Sequence, residues 1–307
     1  MKAIVQDVYG DADVLRVADV PKPEIGPEEV LVEVRAAGVD RGAWHAMTGL
    51  PTVARLGFGL RRPRRRTIGI DLAGRVAAVG ARVTEFRPGD DVFGCGTSTW
   101  AEFAKTKPSR LFKKPDHLTY EQAASLPTSG ATARLALGKT GGDVLVLGAG
   151  GGVGSFVVML AKARGDRVTA ASSKPEAVQR FGADTVLDYT REPLAGSYDL
   201  VVETGGNRPL SELRKLLKPR GTLVIAGGEN GGRLLGGLER NLQLIAVSPF
   251  TRQRLRAPIS LTRRADLEAL ALLTDPPLEG AYPLEQAPAV MRRLVEGRIT
   301  GKAVLTT

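Results

Sequence analysis

Six small residues carry the clearest chemistry in the chain: Gly148, Ala149, Gly150, Gly151, Gly152 and Gly154. The spacing Ala149-x-Gly151-x-x-Gly154 is the G-x-G-x-x-G fingerprint with Ala in first place. Each position has a use. Ala149 permits a tight turn, Gly151 lets a pyrophosphate approach the backbone, and Gly154 lets a helix pack closely on a strand. The phosphates would rest on the free N–H groups of Gly151, Gly152 and Val153, at the positive end of a helix dipole. An apolar run, Val144–Leu147, reads as a buried strand before the turn. Phe156–Ala163 reads as a helix after it, and Arg167–Ala171 as a second strand. A glycine turn without a ligand is the bland alternative. The strand–turn–helix–strand context favours dinucleotide binding.

The tip of that second strand selects the dinucleotide. An NAD site ends this strand with Asp or Glu, which binds the ribose 2′-hydroxyl and repels a 2′-phosphate. Here the strand runs into Ser172, Ser173 and Lys174, and the nearest carboxylate is Glu176, beyond Pro175. Two hydroxyls and an ammonium suit a phosphate through charge-assisted bonds, so the predicted cofactor is NADPH. Gly205 and Gly227 follow the strand-like stretches ending in Glu203 and Ala226. Ligands bind at such carboxyl ends in open sheets, so the ribose and nicotinamide are expected there.

The elements that must hold these residues are legible as a pattern. Strands are predicted at Val144–Leu147, Val168–Ala171, Thr185–Asp188, Asp199–Glu203, Thr222–Ala226 and Leu242–Ser248, alternating with helices. That alternation implies a doubly wound parallel sheet, an α/β Rossmann domain over residues 119–250. Residues 1–118 are mostly strand and turn. Asp40–Thr48 is predicted to form a short helix capped by Asp40. After residue 250 come helices at Asp266–Leu273 and Leu284–Glu296 and a closing strand at Ala303–Leu305. Residues 251–307 are too few for an independent core and are expected to return to the first domain, placing a cleft between two lobes.

Composition narrows the class. A chain of 307 residues with 43% apolar residues suggests about two domains with a real core. No apolar run reaches 18 residues, and the start MKAIVQDVYG lacks the apolar core of a secretory signal. The lone Cys95 suits a reducing cytoplasm. The net charge of +10 is densest at Arg61–Arg66, which reads as a solvated loop rather than a specific nucleic-acid site.

Across nearly its whole length the chain resembles a known group. The stretches EEVLVEVRAAGVD, IGIDLAGRVAAVG, FRPGDDVFG, AEFAKTKPSRLFKKPDHLTYEQAASLP, VLVLGAGGGVGSFVVMLAKARG, FGADTVLDY and EGRITGKAVL are similar to the zinc-independent, quinone oxidoreductase (zeta-crystallin-like) branch of the medium-chain dehydrogenase/reductases. The resemblance implies a mainly β GRoES-like catalytic domain split around the Rossmann domain. It also implies hydride transfer from NADPH to a quinone or an α,β-unsaturated carbonyl. It places Thr132 on a nicotinamide-facing helix, Tyr189 beside the adenosine, and Asp40, usually Asn, near the nicotinamide and substrate. His45 falls where quinone reductases often carry a cleft Tyr and where some zinc alcohol dehydrogenases carry a proton-relay His, and it is the preferred proton donor. Trp44 could wall the cleft; His117 reads as surface.

Departures from the zinc-dependent relatives are informative. Those proteins place Cys at Asp40, Gly-His-Glu at Gly69-Ile70-Asp71, and a further Cys near Ser125. Asp40, Asp71 and His45 would make an oxygen-rich site that zinc does not favour, so no metal is expected. The partners expected are a small-molecule quinone or enone, with no specific nucleic acid and no membrane; homodimerisation is left open. Two alternatives stand: a zinc-free alcohol or aldehyde oxidoreductase, and a non-catalytic NADPH-binding sensor or RNA-associated protein.

Overall fold

A computed structural model describes residues 1–206, 208–227, 232–259 and 261–307. Two compact units emerge: residues 1–131 with 261–307, and residues 132–260.

The first unit is built around strand Val30–Val39. Its sequence VLVEVRAAGV buries eight of ten residues, so both of its edges must find partners. Strand Asp71–Val79 runs antiparallel along residues 30–37. Strand Phe103–Thr106 pairs with residues 30–33, and strand Lys302–Thr306 with residues 36–39. The seven-stranded sheet continues outward through Asp91–Cys95 and Leu111–Lys113 on one side and Leu278–Pro283 on the other. Strand Leu278–Pro283 was not foreseen from the sequence. Gly and Pro weaken its alternation, and among the described residues it pairs only with strand Lys302–Thr306. Ile4, Val32, Leu72, Trp100, Leu111, Val290, Met291 and Leu305 fill the core. Residues 287–295 form a helix that contributes Val290 and Met291 to it, as the apolar stripe in the sequence requires.

Helix Arg41–Thr48 leaves the end of strand Val30–Val39 directly. Asp40 caps it, accepting a bond from Ala43 N at 2.9 Å, and Gly49 ends it in the left-handed region at φ 63°. Thr119 and Gln122 form a reciprocal capping box on helix Tyr120–Ser125. Pro127 then starts a fresh helix, Pro127–Leu137. All of Arg61, Arg62, Arg64, Arg65 and Arg66 are exposed, and Arg66 pairs with Asp7 at 2.6 Å.

The second unit is a six-stranded, wholly parallel sheet. Its spatial order is Thr185–Asp188, Arg167–Ser172, Asp143–Leu147, Tyr198–Glu203, Leu217–Ile225 and Arg254–Arg256. Numbered along the chain this is 3-2-1-4-5-6, the doubly wound order, with its switch point between Asp143–Leu147 and Tyr198–Glu203. Leu145, Leu147, Val201, Leu223 and Ile225 line its core.

One expected strand is corrected. Leu242–Ser248 belongs mostly to helix Leu238–Val247, and the sixth strand is Arg254–Arg256. The stretch LQLIAV mimics alternation, but only Leu244 is buried, while Leu242 and Ile245 are exposed. The true edge strand is short and polar, so it carries no apolar signal. Among the described residues no helix is long and apolar enough to cross a membrane.

A close backbone approach in this unit lies under the glycine turn. A Cβ on Gly154 would stand 2.2 Å from the Gly148 carbonyl oxygen. Gly154→Ala must therefore push helix Gly152–Ala163 off the sheet. We expect a loss of about 1–3 kcal/mol of stability, read by chemical denaturation; a variant as stable as the parent would refute the packing argument.

Candidate active site

In the second unit the turn after strand Asp143–Leu147 forms a cradle at the switch point. Gly148 holds φ 79°, and Gly151 caps helix Gly152–Ala163 with no side chain bonded to the helix start. The first N–H groups of a twelve-residue helix therefore face an exposed Gly151 and a half-exposed Gly152 and Val153. Ala149 is buried beneath them. Thr204 Oγ1 donates to Leu147 O at 2.8 Å and stands 3.1 Å from Gly148 O, tying the two switch-point strands together. A Cβ on Gly227 would lie 1.8 Å from Thr204 O, so only glycine lets the next strand end come so near. These features fit a dinucleotide: the helix start has no side-chain cap and its first residues are accessible.

Glu203 organises the neighbouring turn, and the sequence reading missed it. Its Oε1 accepts from Gly205 N at 2.9 Å and Gly206 N at 3.0 Å, which fixes Gly205 half-buried at the strand end. Burial raises its carboxyl above the usual range. The signal available was an acidic residue closing an apolar strand just before two glycines.

At the tip of strand Arg167–Ser172 the three predicted phosphate residues divide. Ser172 is buried, and its Oγ accepts from Lys174 N at 3.0 Å, so it shapes the turn. Ser173 is exposed and Lys174 half-buried. Tyr189 is exposed rather than a core aromatic, and the Arg208 guanidinium lies 5.4 Å from its ring centroid. Thr132 is half-buried on helix Pro127–Leu137.

In the first unit, strand register gathers charges that are far apart in sequence. Ala303 stands opposite Val39, which brings Lys302 level with Asp40. Leu72 faces Ala37, which brings Asp71 level with Gly38, and Asp71 in turn faces Cys95. Asp71 is fully buried and Asp40 nearly so, at 7% exposure. Asp71 accepts from Thr128 Oγ1 at 2.5 Å and from Thr128 N at 3.2 Å. Lys302, 2% exposed, donates from Nζ to Val39 O at 3.0 Å. Burial first, and then the charge of Asp40, push Asp71 up to about 7 against the pull of Lys302 and Thr128. Burial pushes the Cys95 thiol up to about 12, so this buried sulfur is an inert packing group. Sequence reasoning used Asp71 only as a metal ligand and passed over Lys302 and Thr128.

His45 is half-buried on helix Arg41–Thr48. Its Nδ1 lies 2.5 Å from Leu50 O, an acceptor only, so Nδ1 carries the proton and Nε2 faces outward from that bond. Trp44 meets the His45 ring edge-on at 4.9 Å and packs on the core. His117 is exposed, with Nε2 3.1 Å from Leu273 O.

A 3-2-1-4-5-6 sheet with a glycine cradle in one unit, and a β-rich second unit completed by residues 261–307, define an alcohol-dehydrogenase-like chain. The comparisons agree. Residues 26–163 match the family described as alcohol dehydrogenase GroES-like domain, and residues 181–305 the family described as zinc-binding dehydrogenase. The chain is 31% identical to the mouse mitochondrial NAD(P)H oxidoreductase RTN4IP1, over 99% of this chain and 89% of that one. It is 33% identical to the chloroplastic NADPH-dependent alkenal/one oxidoreductase of Arabidopsis thaliana, over 74% and 63%. The quinone oxidoreductase of Coxiella burnetii superposes with a TM-score of 0.84 at 25% identity, covering 100% of this chain and 99% of that one. The chain belongs to the quinone oxidoreductase group of the medium-chain dehydrogenase/reductases.

The metal in one of those family descriptions does not suit the residues present. Ile70 offers a hydrocarbon where an imidazole is needed, and Ser125 Oγ is turned to Gln122 O at 2.7 Å. Among the described residues no three His, Cys, Asp or Glu side chains converge as a metal site.

The raised carboxyl has a measurable consequence for stability. Between the ordinary Asp value of 3.8 and about 7, the folded chain holds a proton that the unfolded chain lacks. By linkage this contribution is full below the lower value and is lost as pH rises through the upper one. Asp71→Asn deletes it, so the stability of the variant relative to the parent should climb between about pH 4 and pH 7 and level off above. Denaturant titrations at several pH values check this; a pH-independent difference would rule out the raised titration.

Proposed function

We propose that this chain reduces a quinone or an α,β-unsaturated carbonyl with NADPH, and that it uses no zinc. The observation that carries the reading is the open glycine cradle whose second strand ends without a carboxylate, in Ser173 and Lys174. The names of its relatives, a quinone oxidoreductase and an NADPH-dependent alkenal/one oxidoreductase, support the substrate class. When bound, the dinucleotide supplies a hydride. Gly151, Gly152 and Val153 would hold its pyrophosphate. Ser173 and Lys174 would hold the 2′-phosphate, on the turn that Ser172 shapes. Tyr189 with Arg208 would flank the adenosine, and Gly205, Gly227 and Thr132 would leave room for the ribose and nicotinamide.

Without a metal, the developing oxyanion must be met by hydrogen bonds and a proton. We assign that task to Nε2 of His45, since Leu50 O holds the other ring nitrogen. Asp40 is the second candidate. A lone buried thiol also suits a reducing compartment, and we place the protein in the cytoplasm on that ground.

Oxidation of NADPH against a panel of quinones, enones and simple ketones tests the function; turnover confined to the ketones, or none at all, would refute it. In the same assay Lys174→Ala should raise the KM for NADPH roughly tenfold or more and leave NADH nearly unchanged, because one charge-assisted bond is lost. Equal loss with both cofactors would take the 2′-phosphate away from this turn. His45→Phe should lower kcat by about 10²-fold or more; unchanged kcat on the best substrate would remove His45 from the chemistry.

A further inference from the structure

A cleft in the first unit plays no part in the hydride chemistry above. Its volume is about 510 Å³, within the range of roughly 300–1,000 Å³ usual for small-molecule sites. Four cations line it, Arg65, Lys105, Lys107 and Arg110, against the single carboxylate of Glu29. The rest of the lining is hydroxyl-bearing, and no aromatic ring takes part. Backbone pairing brings these groups together. Thr97 N donates to Lys105 O at 3.2 Å, and Ser98 Oγ donates to Thr67 O at 3.3 Å. The turn after strand Asp91–Cys95 is thereby fastened both to strand Phe103–Thr106 and to the base of the arginine run. Lys107 and Arg110 bracket the next turn, where Arg110 N donates to Lys107 O at 3.0 Å.

The charges in the cleft do not cancel. Glu29 accepts from Gly26 N at 2.8 Å and from Lys105 Nζ at 3.0 Å, and Lys105 donates also to Glu24 O at 3.2 Å. Those donors, Gly26 first, hold the Glu29 carboxyl below the usual range. Glu29 and Lys105 therefore satisfy each other. The side chains of Arg65, Lys107 and Arg110 are exposed and make no hydrogen bond or ion pair among the described residues. No compensating carboxylate lies nearby in the chain, because residues 41–70 and 103–115 contain neither Asp nor Glu. A solvated basic surface is the ordinary outcome of such a composition, but three unpaired cations around one concavity repel one another and focus a positive field there. The lining also holds Ser98 at φ 61°, the one non-glycine residue in the left-handed region among those described. A serine stays in that region only where its surroundings determine it. The hydroxyl of Thr97 makes no hydrogen bond among the described residues, so it is available as a neutral donor.

We propose that this cleft binds a diphosphate group, either as the free anion or at the end of a larger molecule. A diphosphate carries about three negative charges near neutral pH, which matches the three unpaired cations. Two of those cations are guanidiniums, whose planar forks suit paired phosphate oxygens. With no ring in the lining to stack on a base, recognition ends at the phosphates, and whatever carries them stays outside. A nucleic-acid strand spreads its charges one per phosphate along a backbone, whereas this cleft gathers its cations at one place. The site lies in a different unit from the glycine cradle and holds its anion by side-chain charge instead of helix N–H groups.

Isothermal titration calorimetry of the full chain at about 0.15 M salt tests this, with inorganic pyrophosphate and a short alkyl diphosphate as probes. Pyrophosphate should bind, and orthophosphate should bind about tenfold more weakly or worse. Comparable affinity for the alkyl diphosphate would assign the site to a carried diphosphate; binding of pyrophosphate alone would assign it to the free anion. Lys107→Ala and Arg110→Ala should each weaken pyrophosphate roughly tenfold, through loss of a charge-assisted bond. Glu29→Gln keeps an acceptor for Gly26 N but removes the carboxylate and releases Lys105. It should tighten binding several-fold, a gain that damage to the fold cannot produce. Lys174→Ala, in the other unit, should leave the affinity unchanged. The proposal is overturned by absence of pyrophosphate binding, by affinities that ignore Lys107 and Arg110, or by a loss in Lys174→Ala as large as theirs. Tighter binding of single-stranded RNA or of phosphatidylserine vesicles than of pyrophosphate, lost in the same two variants, would also overturn it and make the cleft part of a macromolecular surface.

Discussion

Both units depend on backbone meeting backbone with no Cβ between. Gly154 lies against the Gly148 carbonyl, Gly227 against the Thr204 carbonyl, and a Cβ on Gly74 would stand 2.1 Å from the Glu33 carbonyl. Gly38 sets the same condition beside Asp71. At each place the strands or helix can close only because hydrogen replaces a side chain. In the second unit the closure sets the cradle at the switch point. In the first it brings the ends of three strands near enough for their terminal charges to act on one another.

The chemistry follows from what each closure leaves unsatisfied. The glycine turn leaves N–H groups without side-chain caps, a demand that phosphate oxygens meet. The strand ends leave two carboxylates with one ammonium, a demand that a proton meets. The two demands are unlike, one for an anion and one for a proton.

What the sequence disclosed depended on the range of the interaction. The glycine cluster was legible because the backbone demand and the residues that meet it lie within one turn. Strand Thr185–Asp188 and the Asp40 cap were legible for the same local reason. Leu238–Val247 was misread because LQLIAV satisfies a period of two as well as part of a helical turn, and only tertiary burial of Leu244 distinguishes them. Lys302 was overlooked because a lysine beside a glycine ordinarily marks solvent. Its partner Val39 O is 263 positions away, and no local pattern records that pairing. Ser172 was read by type alone; its hydroxyl turned out to serve the backbone of Lys174.

That long separation between Lys302 and Val39 also bears on how the first unit folds. Strand Lys302–Thr306 docks onto residues 36–39 only after a very large loop has closed, and such non-local pairings form slowly. Until it docks, the edge of strand Val30–Val39 is open and both carboxylates are hydrated and ionised. Seating the last strand dries the cluster, and near neutral pH that step draws a proton from solvent along with the lysine. Completion of this unit is thus itself an acid–base reaction, one whose driving force fades in alkali even though no apolar contact has changed.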